Sequence, residues 1–140
     1  MSKSDYDKVK DYIRDSWAEF ASWVIIEKMY KKLNIKNDSK PYKDLILPFQ
    51  NQTWNCISDP KYSPLFIDLY DNFNQKDISS VYANDNVSNY SISSLDENLT
   101  RFKNISDIEI FLNNKNNRPN GVKDSDINNL LNFYKDIWEE

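Results

Sequence analysis

Residues 4–33, SDYDKVKDYIRDSWAEFASWVIIEKMYKKL, run for thirty positions without a proline or a glycine. Tyr6, Val9, Ile13, Trp17, Phe20 and Val24 recur along them at steps of three and four, which is one face of a helix. Ser4 followed by Asp7 has the form of a capping box at its start. The spacing predicts a helix from about residue 5 to 34, about 45 Å long at 1.5 Å per residue. From Trp23 onward the pattern thickens. Ile25, Ile26, Met29, Tyr30 and Leu33 make the second half apolar on several sides, so that half is expected to be the central core element.

Working outward, Pro41, Pro48 and Pro60 keep residues 36–62 irregular. Ser63–Pro64 reads as a cap with proline at the first helical position, opening a short amphipathic helix through Leu65, Phe66, Leu69, Tyr70 and Phe73. Residues 78–92 are rich in Ser, Val, Tyr and Ile around Ala83–Asn84–Asp85–Asn86. They read as a hairpin, with a surface loop as the competing reading. Ser94 with Glu97, and Ser106 with Glu109, look like two further capping boxes. Arg118–Pro119–Asn120–Gly121 is a turn by composition. Asp124–Ser125 then caps a last helix carrying Ile127, Leu130, Leu131, Tyr134, Ile137 and Trp138. The expected fold is therefore α+β and helix-dominated: a long N-terminal helix packed by several shorter helices, with a small β-hairpin near 78–92, in a single domain over 1–140.

Composition narrows the chemistry. Twenty of the 140 residues are aromatic (4 Trp, 9 Tyr, 7 Phe), yet there is no histidine, one glycine (Gly121) and one cysteine (Cys56). Histidine is the usual neutral-pH acid and base, and glycines make the tight phosphate-binding loops. A single thiol without histidine excludes an intramolecular disulfide and a Cys/His zinc site. A nucleophilic Cys56 lacks a base beside it and reads as a small buried hydrophobe. An all-helical ribonuclease arrangement of Arg followed by His fails at Arg118, because no histidine can follow. The longest wholly apolar run, Trp23–Ile26, is far too short to span a membrane. Met1–Lys10 is polar and shows no signal region, so a cytoplasmic protein in a reducing compartment is expected. Six Asn-x-Ser/Thr triplets, at Asn37, Asn51, Asn86, Asn89, Asn98 and Asn104, then read as a by-product of Asn-rich composition.

Charge is uneven. Residues 1–36 carry 8 basic and 6 acidic side chains, net +2, and residues 59–98 carry 2 and 7, net −5. Residues 99–123 return to +3 and 124–140 fall to −4, for −4 overall. Without a clustered basic face, nucleic acid is disfavoured as the main partner. A basic protein fits better.

Two groups of acids compete for a role. Asp7, Asp11, Asp15 and Glu19, four apart, would stack in one ridge on the first helix despite the mutual repulsion of like charges at that spacing. Such a ridge imitates a nucleic-acid backbone; the bland alternative is a solvated face neutralised by Lys8, Lys10 and Arg14. Asp68 and Asp71, at i and i+3 on a helix, could jointly hold Mg²⁺, although solvent-facing acids opposite an apolar stripe are the commoner case. Asp107 and Glu109 would share a face only on a strand, and Ser106 argues for a helix there. Aromatics beside acids make good contact anchors.

The reading that follows is a non-enzymatic, acidic binding or inhibitor protein without cofactor or metal. It would block a basic partner, a nuclease or toxin, in the manner of immunity proteins, antitoxins and phage anti-defence inhibitors. Its contact residues would come from Asp7, Asp11, Asp15, Glu19, Asp68, Tyr70, Asp71, Tyr82, Asp136 and Glu139. The alternatives are a Mg²⁺- or Mn²⁺-dependent carboxylate nuclease or hydrolase, and a homo-oligomeric subunit that dimerises through the long N-terminal helix.

Overall fold

A computed structural model describes residues 11–36, 40, 65–72 and 85–138. Five α-helices lie in them: α1 (Asp11–Lys32), α2 (Leu65–Tyr70), α3 (Ile92–Asn98), α4 (Ile105–Asn113) and α5 (Asp124–Trp138), with one 3₁₀ turn, Leu99–Arg101, between α3 and α4. No helix among them is long and apolar enough to cross a membrane.

The 22 described residues of α1 span about 33 Å. Its end is specified locally. Asn34 takes a left-handed φ of 59°. Around it the Ile35 N–H donates to the Tyr30 carbonyl at 2.9 Å and the Asn34 N–H to Lys31 at 3.1 Å. This is the Schellman arrangement, in which a residue at positive φ lets the chain turn back onto the last free carbonyls.

The centre of the core is α2 rather than the second half of α1. Leu65, Phe66, Ile67 and Leu69 are all at most 1% exposed. Apart from Asp68 this six-residue helix is apolar on every side, and such a helix must be enclosed. Around it pack Ile13, Phe20, Trp23, Val24 and Tyr30 of α1, and Leu95, Leu99, Phe102, Ile105, Ile108, Leu112, Ile127, Leu130 and Leu131 from the later helices. Phe66 joins the two sides: its ring lies 5.4 Å edge-on to Trp17 and 6.4 Å from the stacked ring of Phe102. The expectation for α1 is corrected on one face. Ile25, Met29 and Leu33 remain 66%, 50% and 63% exposed. Steps of four keep these three together on the side away from Phe20, Trp23 and Val24.

The α+β expectation is also corrected: the described residues contain helices and no strand. Residues 78–84 of the expected hairpin lie outside them, and 85–91 form an irregular segment. Its backbone donors are taken by α2, whose terminal carbonyls need partners. The Asn89 N–H donates to Tyr70 and the Tyr90 N–H to Leu69, at 3.1 and 3.0 Å. Asn89 turns the chain with a φ of 64°, and Ser91 caps α3 by accepting from the Ser94 N–H. Strand pairing is pre-empted.

Two helix starts fall earlier than the capping boxes suggested. Ser91, not Ser94, caps α3. Asn104, not Ser106, caps α4, with Asp107 completing a reciprocal box. The 118–121 turn is as expected: Gly121 sits at φ 88°, and Pro119 accepts from the Val122 N–H. The α5 start is tightened by the Asp126 carboxylate, which accepts from the Lys123 N–H at 3.0 Å.

Candidate functional site

Four polar side chains meet inside the fold. Asp68 comes from α2, Asp71 from the residue just beyond it, Asp85 from the irregular segment and Tyr134 from α5. Carboxylate oxygens of Asp68, Asp71 and Asp85 lie within 4.8 Å of one another. Asp68 is 1% and Asp85 3% exposed, and Asp71 is half-buried. The Tyr134 hydroxyl donates to Asp68 Oδ2 at 2.5 Å. The Val87 N–H donates to Asp85 Oδ1 at 2.9 Å, a local turn that aims this carboxyl inward.

Three carboxylates cannot all stay ionised this close together in a low-dielectric interior. Burial above all, then the charges of Asp68, Asp71 and Asp126, push the Asp85 carboxyl up to about 10, with the Val87 N–H opposing. Asp85 therefore carries a proton at neutral pH. Burial and the same acids hold the Tyr134 hydroxyl well above its ordinary value, so it remains a donor. The geometry can do one of two things chemically: share protons, or give three oxygens to a divalent cation in their place.

The reading of Asp68 as a solvent-facing acid is corrected, since it points into the core. It is thereby removed from any surface that meets a partner. Asp107 and Glu109 do not join the cluster. Asp107 accepts from the Lys103 and Asn104 N–H groups at 2.9 and 3.2 Å, and Glu109 pairs with Lys135 at 2.5 Å. Both have structural work.

The ridge on α1 is turned partly inward. Asp15 and Glu19 are half-buried, and each has one oxygen with no hydrogen-bond partner among the described residues. Burial raises both carboxyls; Arg14 partly offsets this for Asp15, and the Asp15 charge adds to it for Glu19. Asp7, Tyr82 and Glu139 lie outside the described residues, and Asp11 and Asp136 are placed only as positions on α1 and α5.

Tyr70 is differently placed. With Trp17, Ala21 and Lys28 of α1 it lines an open groove whose other wall is Asn89–Ser93 and Asp96. Trp17 and Tyr70 are half-buried, while Lys28 and Asp96 are exposed. The rings are held from behind: Tyr70 stands edge-on to Phe20 at 5.9 Å and to Trp23 at 6.1 Å. Tyr90 is closed in at the back, donating its hydroxyl to the Leu112 carbonyl at 2.9 Å. Burial lifts that hydroxyl to about 12 against the pull of Arg118. Arg118 itself is tied to Asp124 at 2.6 Å and to Asn113 at 3.2 Å.

Sequence reasoning missed Asp85, Tyr134, Trp17 and Asp96. One signal was present: Asp68 interrupts the otherwise apolar run Leu65–Tyr70, and an acid enclosed on both sides in that way is an internal acid. No family model, no curated protein and no solved structure matches the chain.

Proposed function

We propose that this protein acts by binding rather than by turnover, blocking a basic protein partner, with a nuclease as the class that fits best. The observation that carries the reading is the groove between α1 and residues 89–93, where Trp17 and Tyr70 offer rigid, half-buried rings beside the exposed Asp96. Aromatic anchors backed by a packed core and rimmed by polar groups are the composition of an interface hot spot. The basic partner is supported by the formal net charge of −4 and by Asp96 exposed at the groove, set against one exposed cation there among the described residues, Lys28. The hydrolase alternative is the weaker one because its acids are diverted: Asp107 and Glu109 serve α4 and α5, and Asp68 is enclosed.

The test is association kinetics with the basic protein recovered from the native host. The on-rate falls steeply between low and high ionic strength. Tyr70→Ala, which removes an anchor, costs about 2 kcal/mol, roughly a thirtyfold rise in Kd. Salt-insensitive association, or a Tyr70→Ala variant that binds like wild type, would sink the proposal.

A further inference from the structure

We infer that α1 carries a second, separate interface, through which the chain pairs with another copy of itself in antiparallel orientation. The inference is independent of the binding function proposed above.

Positions 15, 18, 22, 25, 29 and 32 follow one another at steps of three, four, three, four and three, the spacing of a helix–helix seam. They are Asp15, Ala18, Ser22, Ile25, Met29 and Lys32. Ala18, Ser22, Ile25, Met29 and Lys32 are exposed, and Asp15 is half-exposed. Leu33, 63% exposed, flanks the seam. At about 100° per residue this strip lies about a quarter-turn from the groove side of α1, marked by Trp17 and Lys28. The two surfaces do not compete.

The order of side chains along the strip specifies the occupant. In an antiparallel pair centred between Ser22 and Ile25, residue i of one helix faces the residue that sums with it to 47 on the other. Ser22 then meets Ile25, Ala18 meets Met29 and Asp15 meets Lys32, each twice by symmetry. Small faces large at both inner layers, and an acid faces a cation at both ends. A parallel pair would set Met29 against Met29, Asp15 against Asp15 and Lys32 against Lys32. Like charges in register oppose that arrangement. The two helix dipoles also run head to tail only in the antiparallel form. A basic partner on this strip would meet the exposed Lys32 at its end, whereas a second copy sets that cation against Asp15, so charge favours a second copy here. Six seam residues a side fall well short of the roughly 20–30 of a standard interface, so the pairing is reversible.

Sedimentation equilibrium tests this directly. The apparent mass of the wild type rises from 16.7 kDa toward twice that value with concentration. Met29→Glu and Lys32→Glu each hold it at the monomer mass. An equimolar mixture of Lys32→Glu with Asp15→Lys regains the dimer, because both end layers again pair opposite charges. If circular dichroism shows that Asp15→Lys does not fold, an equimolar mixture of the Ser22→Cys and Ile25→Cys variants, both carrying Cys56→Ser, replaces it. On oxidation that mixture gives the covalent heterodimer in preference to either homodimer, read by mass spectrometry, only if those two positions face each other. A wild type that stays monomeric up to about 1 mM overturns the inference, that being the weakest association worth the name. So does a dimer indifferent to Met29→Glu, a mixture no better than its components, or a cysteine mixture that shows no preference for the heterodimer.

Discussion

Asp85 holds its proton because it is buried beside two further acids, and that proton links folding to pH. The sign follows from the direction of the shift. Its carboxyl, ordinarily near 3.8, is raised to about 10 in the fold, so the protonated form is the one folding favours. The associated stability is complete below the unfolded value and drains away as pH rises toward the folded one. Asp15 and Glu19, also raised by burial, act in the same direction. Between pH 5 and pH 9 the melting temperature therefore falls as pH rises, because unfolding releases the Asp85 proton across that window. Asp85→Asn keeps an oxygen for the Val87 N–H and removes the titration. Thermal melts of the variant should lie above wild type at pH 8 and show a flatter pH profile; a melting temperature that climbs with pH would contradict the buried, protonated carboxyl. Tyr134→Phe asks about the other end of the network. It deprives Asp68 of its 2.5 Å donor in a site 1% exposed. Losing a hydrogen bond to a buried charged group costs about 1.5–3 kcal/mol, which urea denaturation at neutral pH measures.

Among the elements, the end of α1 gives the cleanest local test. Asn34 stands at a φ of 59°, where only glycine is unstrained and asparagine is tolerated. Asn34→Gly should leave stability unchanged or slightly raised, whereas Asn34→Ala should lose about 1 kcal/mol, read from the shift in urea midpoint. This terminus also shows what the sequence made legible. The helix periods from Ile13 to Val24, from Leu65 to Tyr70 and from Ile127 to Tyr134 could be read directly, because burial imposes them residue by residue. The irregular segment could not. Ser, Val, Tyr and Ile near residues 85–92 have strand propensity, but the Asn89 and Tyr90 N–H groups are claimed by carbonyls of α2 some twenty residues earlier. Tertiary demand overrode local preference. The α3 and α4 caps were misplaced for a related reason: Ser91 and Ser94, or Asn104 and Ser106, are equally good caps in isolation, and packing chooses between them. Of the site, Tyr70 was legible as a ring next to acids. Asp85 and Tyr134 were not, since their meeting with Asp68 joins parts of the chain 17 and 66 positions away and leaves no trace in spacing.

For the whole molecule, the deciding question is whether the interior acids answer to protons or to a metal, because that separates a binder from a hydrolase. Asp68 and Asp85 are almost wholly enclosed, and only Asp71 of the three is half-exposed. A catalytic cation needs open coordination positions that substrate and water can reach. The proton already relieves the repulsion that would otherwise draw a cation in. A chain of net charge −4 still gains something from any salt, since screening weakens its self-repulsion. The comparison must therefore be made at matched ionic strength. Mg²⁺ and Mn²⁺ are expected to raise the melting temperature no more than NaCl does at neutral pH, without saturation, and equally in wild type and Asp71→Asn. The opposite result is specific: a saturable gain with Mn²⁺, exceeding that of NaCl and abolished by Asp71→Asn, follows from ligand linkage to a folded-state site. It would transfer the functional assignment from the groove on α1 to the carboxylates beneath it.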